Sequence, residues 1–324
     1  MKSWLLLLAF ALLPPAASAA LERAELMGIA ASVLRIEAPR ASGGYSIGSG
    51  VAVGDDLVIT NCHVTRDAKA IHVLRGGVRW PVSAQVANAE HDLCLLTVPG
   101  LVAPIAHLGQ ASKLAIGQVL SALGYTGGLG IQSSDGEVIE LHRHDGAHVI
   151  QCSNWFSSGA SGGGLFDERG QLVGILTFRL RGGEAHYYAA PVEWVQQLMD
   201  KARGAAAMAD PQTPAYWQQP PHAQPRFLRA ALFKREARWT DLATLAREWL
   251  EGVADDAEPW QLLGLALARL DRPDEARAAL ECAVHLSPTN VTLRSSLDAL
   301  PAPARQASAP LSSTGTAPCP PVKL

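Results

Sequence analysis

The sequence has no excess of charge of either sign, because its 324 residues include 27 lysines and arginines against 30 aspartates and glutamates. It contains no basic patch and no block of like charge, so nothing indicates a nucleic-acid partner. Beyond residue 20, no stretch is apolar and long enough to cross a membrane. No pair of its five cysteines has C-x-x-C spacing, which argues against a zinc site. We predict neither a metal nor a cofactor.

The first 20 residues have the pattern of a secretory signal peptide. Lys2 supplies a positive start, residues 4–13 are apolar but short for a membrane span, and residues 17–19 are a small-residue cleavage site. An uncleaved anchor is the alternative. We expect cleavage near Ala19 or Ala20, a mature chain that is periplasmic or secreted, and no membrane insertion after cleavage.

Short apolar or alternating runs, separated by Gly, Pro and Asp, indicate β structure from residue 32 to residue 190. The runs fall into two sets of six. The first set covers residues 32–37, 46–53, 57–60, 70–74, 82–86 and 93–98. The second set covers residues 118–123, 137–141, 148–152, 163–166, 171–178 and 186–190. We predict a domain over residues 21–203 with two β-barrels, a cleft between them, and a closing helix after Pro191.

Residues 226–299 change to helical periodicity, so the predicted fold class is an all-β double barrel followed by a small all-α domain. One window matches the signature of a tetratricopeptide repeat at Trp260, Leu263, Gly264, Leu267, Ala276, Leu280, Ala283 and Pro288. Residues 226–256 look like a weaker copy, and a plain helical hairpin is the alternative. These helices are a candidate surface for a protein partner. A linker at 204–225 and a disordered tail at 300–324 complete the predicted organisation.

Three residues of the β-rich part have the contexts of a catalytic triad. His63 ends one apolar run, Asp92 opens another, and Ser161 lies in the glycine-rich stretch 159–163. A serine hydroxyl needs a neighbouring base to act as a nucleophile at neutral pH. His63 can accept the proton and Asp92 can hold the imidazole in the right tautomer. The backbone amides of Gly159 and Ser161 can form an oxyanion hole.

The stretch 159–163 also matches the nucleophile elbow of α/β-hydrolases, which leads from a strand into a helix with the acid and histidine downstream. Here a turn and a strand follow Ser161, and the fitting acid and histidine lie upstream, so the elbow is disfavoured. The subtilisin order also fails, because the nearest acids ahead of His63 are Asp55 and Asp56 in a turn.

Cys62 adjoins His63, and Cys94 follows Asp92 by two residues. If the hydrogen bond between His63 and Asp92 forms, it brings the two cysteines near each other. We therefore predict a disulfide between Cys62 and Cys94, and two buried free thiols are the alternative.

Residues 30–200 resemble the trypsin-like serine proteases, most closely the bacterial HtrA (Deg) branch. The segments that carry the resemblance are residues 60–64, 92–96, 114–124, 159–163 and 172–177. The resemblance implies a double β-barrel, a serine endopeptidase that acts through an acyl-enzyme, and a protein or peptide substrate. It also implies a substrate pocket lined by Trp155, Phe156, Thr177, Phe178 and Arg179.

The chain departs from the family in two places. Ala160 stands where the digestive enzymes carry an aspartate that binds a new N-terminus, so activation by that route is not expected. Helices stand where HtrA proteases carry PDZ domains.

No aspartate occupies the pocket base, so cleavage after Lys or Arg is not indicated. An inactive protease-like module that binds partners through its helices is the alternative function.

His142, His144 and His148 cluster beside Asp145-Gly146, which is a hairpin turn signal. Alternation places His142 and His144 on one face, where a metal could bind. An exposed β-turn is the favoured interpretation.

Overall fold

The computed structural model describes residues 21, 23–128, 130–180, 186–202, 212–301 and 319. The predicted signal peptide, residues 204–211 of the predicted linker and nearly all of the predicted tail lie outside these residues. Within the described ranges, no helix is both long enough and apolar enough to span a bilayer.

The first β unit is a seven-stranded antiparallel sheet that a short helix, α1 (Arg23–Ala30), precedes. Its strands are β1 (Val33–Pro39), β2 (Tyr45–Gly54), β3 (Leu57–Asn61), β4 (His72–Arg75), β5 (Val78–Pro81), β6 (Ala84–Asn88) and β7 (Leu93–Thr97). Helix α2 (Cys62–Thr65) follows β3 directly. The strand order is β5-β4-β1-β2-β3-β7-β6. Leu34, Ile36, Val58 and Leu96 are fully buried between the strands, because alternate side chains of a strand face the same side.

The second β unit is a closed six-stranded barrel with the order β10-β13-β12-β11-β8-β9. These strands are β8 (Val119–Gly124), β9 (Gln132–His144), β10 (Ala147–Cys152), β11 (Gly164–Phe166), β12 (Leu172–Leu180) and β13 (His186–Pro191). Helix α3 (Val192–Ala202) follows, as the apolar spacing after Pro191 predicts. Each of the twelve predicted strands overlaps an observed one. Strand β5 was not predicted from the sequence, because it is only four residues long and largely exposed.

The C-terminal region is helical, with α4 (Arg226–Arg235), α5 (Trp239–Leu250), α6 (Ala257–Arg269), α7 (Pro273–Leu286) and α8 (Val291–Asp298). Seven of the eight signature positions lie on α6 and α7, and Trp260, Leu267 and Leu280 among them are buried. Gly264 permits the close approach of these two helices, since a Cβ there would lie 2.6 Å from Leu280 Cγ. Whether the helices are tetratricopeptide repeats stays a prediction.

The helices pack on the barrel through a buried polar contact. The Nδ1 of His142, on β9, lies 2.8 Å from the Glu258 carboxylate of α6, and the imidazole stacks on Phe227 of α4 at 4.4 Å. Asp145 and Gly146 form the predicted turn with positive φ. The turn residues are exposed, as predicted. His142, three residues before the turn, is only 5% exposed, because α4 and α6 cover this face of the barrel.

Residues 212–225, which we call the connecting segment, contain two short 3-10 turns, Tyr216–Gln218 and Pro221–Ala223. Ala215 and Tyr216 are buried, so this part of the predicted linker packs against the β units.

Candidate active site

Strand pairing brings His63 and Asp92 together. Strands β3 and β7 are antiparallel neighbours with Thr60 opposite Cys94, so the end of β3 and the start of β7 lie at the same edge. His63 Nδ1 lies 2.6 Å from Asp92 Oδ2, and the His63 backbone amide donates to Asp92 Oδ1 at 2.8 Å. Asp92 is fully buried. A carboxylate in this position holds the proton on Nδ1 and leaves Nε2 available as a base.

Hydrogen bonds from the two residues that precede His63 hold the backbone of Asp92 in place. The Asp92 carbonyl accepts hydrogen bonds from the Cys62 amide at 3.1 Å and from Asn61 Nδ2 at 3.0 Å. Asp92 has a φ of 58°, which an aspartate tolerates better than most residues. A disulfide joins Cys62 to Cys94, with the Cα atoms 4.9 Å apart. It links the two strand ends that carry the histidine and the aspartate.

The loop of residues 157–163, which we call the oxyanion loop, holds Ser161. The Ser158 carbonyl accepts from the Gly127 amide at 2.8 Å, and the Ala160 carbonyl accepts from the Gly163 amide at 2.8 Å. In a trans peptide the N–H points opposite to the C=O. The amides of Gly159 and Ser161 therefore point away from these partners, and neither donates a hydrogen bond within the described part of the chain. Two free backbone donors next to a serine are what an oxyanion hole requires.

Ser49, on β2, ties the oxyanion loop to the first β unit. Its amide donates to the Ser161 carbonyl at 2.8 Å, and its Oγ donates to the Gly159 carbonyl at 2.7 Å. The same Oγ accepts from the Tyr125 amide at 2.8 Å. Gly162 has a φ of 86°, and a Cβ there would collide with the Ser49 carbonyl. Only the lone serine within Gly48-Ser49-Gly50 could have signalled this role, and the sequence analysis missed it.

A cavity of about 200 Å³ brings together His63, Ser161 and four of the five residues predicted to line the substrate pocket. It is lined by His63, Phe156, Ser157, Ser158, Ser161, Thr177, Phe178, Arg179 and Trp217. Trp155, which the resemblance places in the same pocket, is not part of this lining and is 52% exposed. Its amide is held by Ser134 Oγ at 2.8 Å, and its ring borders a separate, smaller cavity.

The Ser161 hydroxyl is turned toward the Thr177 carbonyl, with Oγ 3.5 Å from that oxygen. Among the described residues, no hydrogen bond joins Ser161 Oγ to the His63 ring. Proton transfer from Ser161 to His63 therefore requires the hydroxyl to rotate away from Thr177.

Trp217 of the connecting segment lines the cavity and was missed by the sequence analysis, as were Ser157 and Ser158. Its indole meets the His63 ring edge-on, with ring centroids 5.8 Å apart, and stacks on Phe178 at 5.0 Å. Next to it, burial raises the pKa of Tyr216 well above its ordinary value, and the charge of Asp92 adds to that effect. A tryptophan and a tyrosine in a segment otherwise rich in Pro and Gln were the available signal.

Residues 48–175 match the family model of the trypsin-like peptidase domain. Among curated relatives, a probable periplasmic DegP-like serine endoprotease of Ectopseudomonas mendocina (strain ymp) is 31% identical over 182 residues, which are 51% of this chain and 38% of the relative. Serine protease HTRA4 of Mus musculus is 30% identical over 167 residues, 48% of this chain and 34% of the relative. The chain thus spans little more than a third of the length of these relatives.

A solved structure of the HtrA-type protease AlgW with a tripeptide is similar, with a TM-score of 0.51 and 26% identity. The match covers 56% of this chain and 62% of that one. The predicted resemblance is confirmed for the β-rich part, while the family model ends well before the connecting segment and the helices.

Proposed function

Because the chain contains a trypsin-like peptidase domain at residues 48–175, we propose that it is an exported serine endopeptidase. Ser161 is the nucleophile, His63 is the base, and Asp92 orients the base. The observation that carries the proposal is the 2.6 Å contact between His63 and the buried Asp92, beside a cavity that His63 and Ser161 both line. A histidine with an orienting carboxylate, next to a serine on a glycine-rich loop, is the arrangement that acyl transfer needs.

In the first step, Ser161 Oγ attacks the carbonyl carbon of the scissile peptide bond while its proton passes to His63 Nε2. The carbonyl oxygen becomes an oxyanion that the amides of Gly159 and Ser161 stabilise, each donor being worth about 3 kcal/mol. The new imidazolium, stabilised by Asp92, then returns the proton to the departing amine nitrogen. The peptide bond breaks and leaves an ester on Ser161.

In the second step, water attacks the ester carbonyl and gives its proton to His63. The tetrahedral intermediate collapses, the bond to Oγ breaks, and His63 returns the proton to Ser161. The chemistry consumes one water for each peptide bond and regenerates all three side chains.

The edge of β12, unpaired within the described part of the chain, is an observation in favour of a peptide substrate. Residues 178–180 pair with β13 on one side, whereas β11 pairs only with residues 172–175. The other edge of residues 178–180 therefore has no strand partner among the described strands, and an extended peptide can add to it as a strand. No acidic side chain lines the neighbouring cavity, so a substrate residue without positive charge fits it best. AlgW, the related protease, has been solved with a tripeptide.

We further propose that residues 1–20 direct export and that the helices are tetratricopeptide-like repeats that bind a protein partner. The name of the DegP-like relative, a periplasmic endoprotease, supports export. Burial of the signature residues of α6 and α7 supports the repeat assignment.

A fluorophosphonate probe, applied to the purified mature chain beside Ser161→Ala and His63→Ala variants, tests the catalytic proposal. We expect covalent labelling of the wild type and none of either variant, with circular dichroism showing that all three are folded. The turn of Ser161 toward Thr177 is the observation that favours the rival, an inactive binding module. A folded wild type that resists labelling would establish that rival.

A further inference from the structure

We propose that Trp217 determines the substrate specificity of the cleft by admitting only a small side chain next to the substrate residue held in the pocket. This inference rests on the proposed peptidase function and names a determinant for it. The determinant lies in the connecting segment, more than 40 residues beyond the end of the matched peptidase domain.

The indole of Trp217 occupies the wall of the cavity beside the catalytic base. Its ring plane is nearly perpendicular to that of His63, at 87°, and nearly parallel to that of Phe178, at 10°. Phe178 in turn stacks on Tyr188, which lies on the face of the barrel that the helices cover, at 4.6 Å. Three stacked rings therefore reach from that face to the edge of the His63 ring, and Phe178 and Trp217 among them line the cavity that Ser161 also lines.

The geometry of an extended peptide decides which substrate residue meets this wall. Successive side chains of a strand point to opposite sides, and the chain rises about 3.3 Å per residue. When one side chain enters the pocket beside Phe156 and Ser158, its neighbour faces the other way. The residue in the pocket contributes the carbonyl that Ser161 attacks. The residue that precedes it in the substrate is one peptide unit away and therefore also lies close to Ser161. We therefore place it against His63 and Trp217, where a bulky rigid indole leaves room for glycine, alanine or serine.

Contacts on both sides hold the connecting segment in place. The Tyr216 amide donates to the Glu90 carbonyl at 3.0 Å, and the Tyr216 ring is buried against His144 at 4.9 Å. The Arg66 guanidinium donates to Gln218 Oε1 at 3.3 Å. Gln224 Nε2 donates to the Trp217 carbonyl at 3.0 Å. A wall anchored in this way can discriminate by size, since it cannot move aside at low cost.

The test is a panel of fluorogenic peptides that differ only in the residue preceding the cleaved one, which is Gly, Ala, Leu or Phe. For the wild type we expect kcat/KM for the Gly or Ala peptide to exceed that for the Phe peptide by at least about tenfold. In Trp217→Ala this ratio of kcat/KM values should fall to about two or less. Trp217→Phe should keep most of the preference for the Gly or Ala peptide. Trp239→Ala, which removes a partly buried tryptophan of α5 that packs under Arg269, is the matched control and should keep the wild-type ratio.

Two results would overturn the proposal. One is a Trp217→Ala enzyme with the wild-type ratio, and the other is a uniform rise for all four peptides, which would make Trp217 an obstruction and not a selector. Should Trp217→Ala fail to fold, Trp217→Leu, which keeps an apolar contact with Phe178, serves in the same comparison.

Failure of the peptidase proposal is recognised separately, by a wild type that the fluorophosphonate does not label. In that case the same four peptides are measured as ligands of Ser161→Ala and of the Ser161→Ala, Trp217→Ala double variant by fluorescence anisotropy. The preference for Gly or Ala must then appear in the first protein and vanish in the second. Equal preference in both would refute the role of Trp217 without reference to hydrolysis.

Discussion

The hydroxyl of Ser49 donates a hydrogen bond to the carbonyl of Gly159, which lies 110 residues further along the chain, at 2.7 Å. Ser49 belongs to the first β unit, whereas Gly159 belongs to the oxyanion loop of the second. The same hydroxyl also accepts a hydrogen bond from the Tyr125 amide at 2.8 Å. If Ser161 is the nucleophile, as we propose, Ser49 is a positioning residue that acts on the reacting atoms through the peptide of Gly159.

Ser49→Ala should slow labelling of Ser161 by the fluorophosphonate probe. Loss of the hydroxyl leaves the Gly159 carbonyl and the Tyr125 amide unpaired, and the oxyanion loop loses its anchor on β2. We expect the rate to fall at least about tenfold, less than the loss of an oxyanion donor itself. Ser46→Ala, on the same strand, is the control, because the Ser46 hydroxyl accepts a hydrogen bond from Arg40 and makes none to the oxyanion loop within the described residues. A lower melting temperature with an unchanged labelling rate would show that Ser49 is purely structural.

Removal of the disulfide between Cys62 and Cys94 should destabilise the domain. It joins residues 32 positions apart, and a crosslink over a loop of that size is worth about 3–4 kcal/mol in the free energy of unfolding. Urea unfolding of the Cys62→Ala, Cys94→Ala double variant measures the loss. A reductant should lower the midpoint of the wild type and leave that of the double variant unchanged. Equal sensitivity of the two proteins to reductant would contradict the prediction.

The contact between barrel and helices should weaken as pH rises. Burial raises the pKa of Glu140 to about 7, and the charge of Glu258 adds to it. Burial acts to lower the pKa of His142, but the charge and hydrogen bond of Glu258, together with the Glu140 charge and the hydrogen bond to Gln151, outweigh it, so the net pKa lies above 6.5. Both groups bind protons more tightly in the folded state than in the unfolded one. Their stabilising contributions are complete below pKa values of 4.5 and 6.5, respectively, and are lost as pH rises through the folded values.

Melting temperatures at pH 5.5 and pH 8 measure this effect. The wild type should lose more stability between these values than Glu140→Gln does, because glutamine removes one of the two titrating groups and keeps the side-chain shape. A variant whose pH dependence matches that of the wild type would show that Glu140 does not titrate in this range.

Gly264→Ala should destabilise the helical region by about 1–3 kcal/mol, because the added Cβ would lie 2.6 Å from Leu280 Cγ and push α6 and α7 apart. Gly252→Ala, after α5, is the matched control, since its nearest neighbour is the Trp249 carbonyl at 4.0 Å. Thermal unfolding followed by circular dichroism at 222 nm compares the two variants. Equal melting temperatures would mean that the helix pair adjusts without cost.

The sequence by itself determined the features that depend on neighbouring residues. Apolar alternation predicts all strands but the exposed β5, because a strand buries every second side chain. The contexts of His63, Asp92 and Ser161 are equally local, since each is a strand end or a glycine-rich turn. The order of these three residues is enough to separate a trypsin-like domain from the hydrolase elbow and from subtilisin.

Only the tertiary structure decided which residues far apart in the chain contact each other. Trp217 reaches His63 across 154 positions of the chain, and Glu258 reaches His142 across 116. A pattern within one segment carries no information about a partner so far away. Trp217 lies in what the sequence predicts to be a linker, and Glu258 covers a histidine whose burial the sequence does not predict. Trp155 illustrates the converse, because it adjoins the cavity residue Phe156 yet borders a different cavity. Side chains meet only when the packing of whole strands and helices brings their backbones together, and that packing is a property of the entire chain.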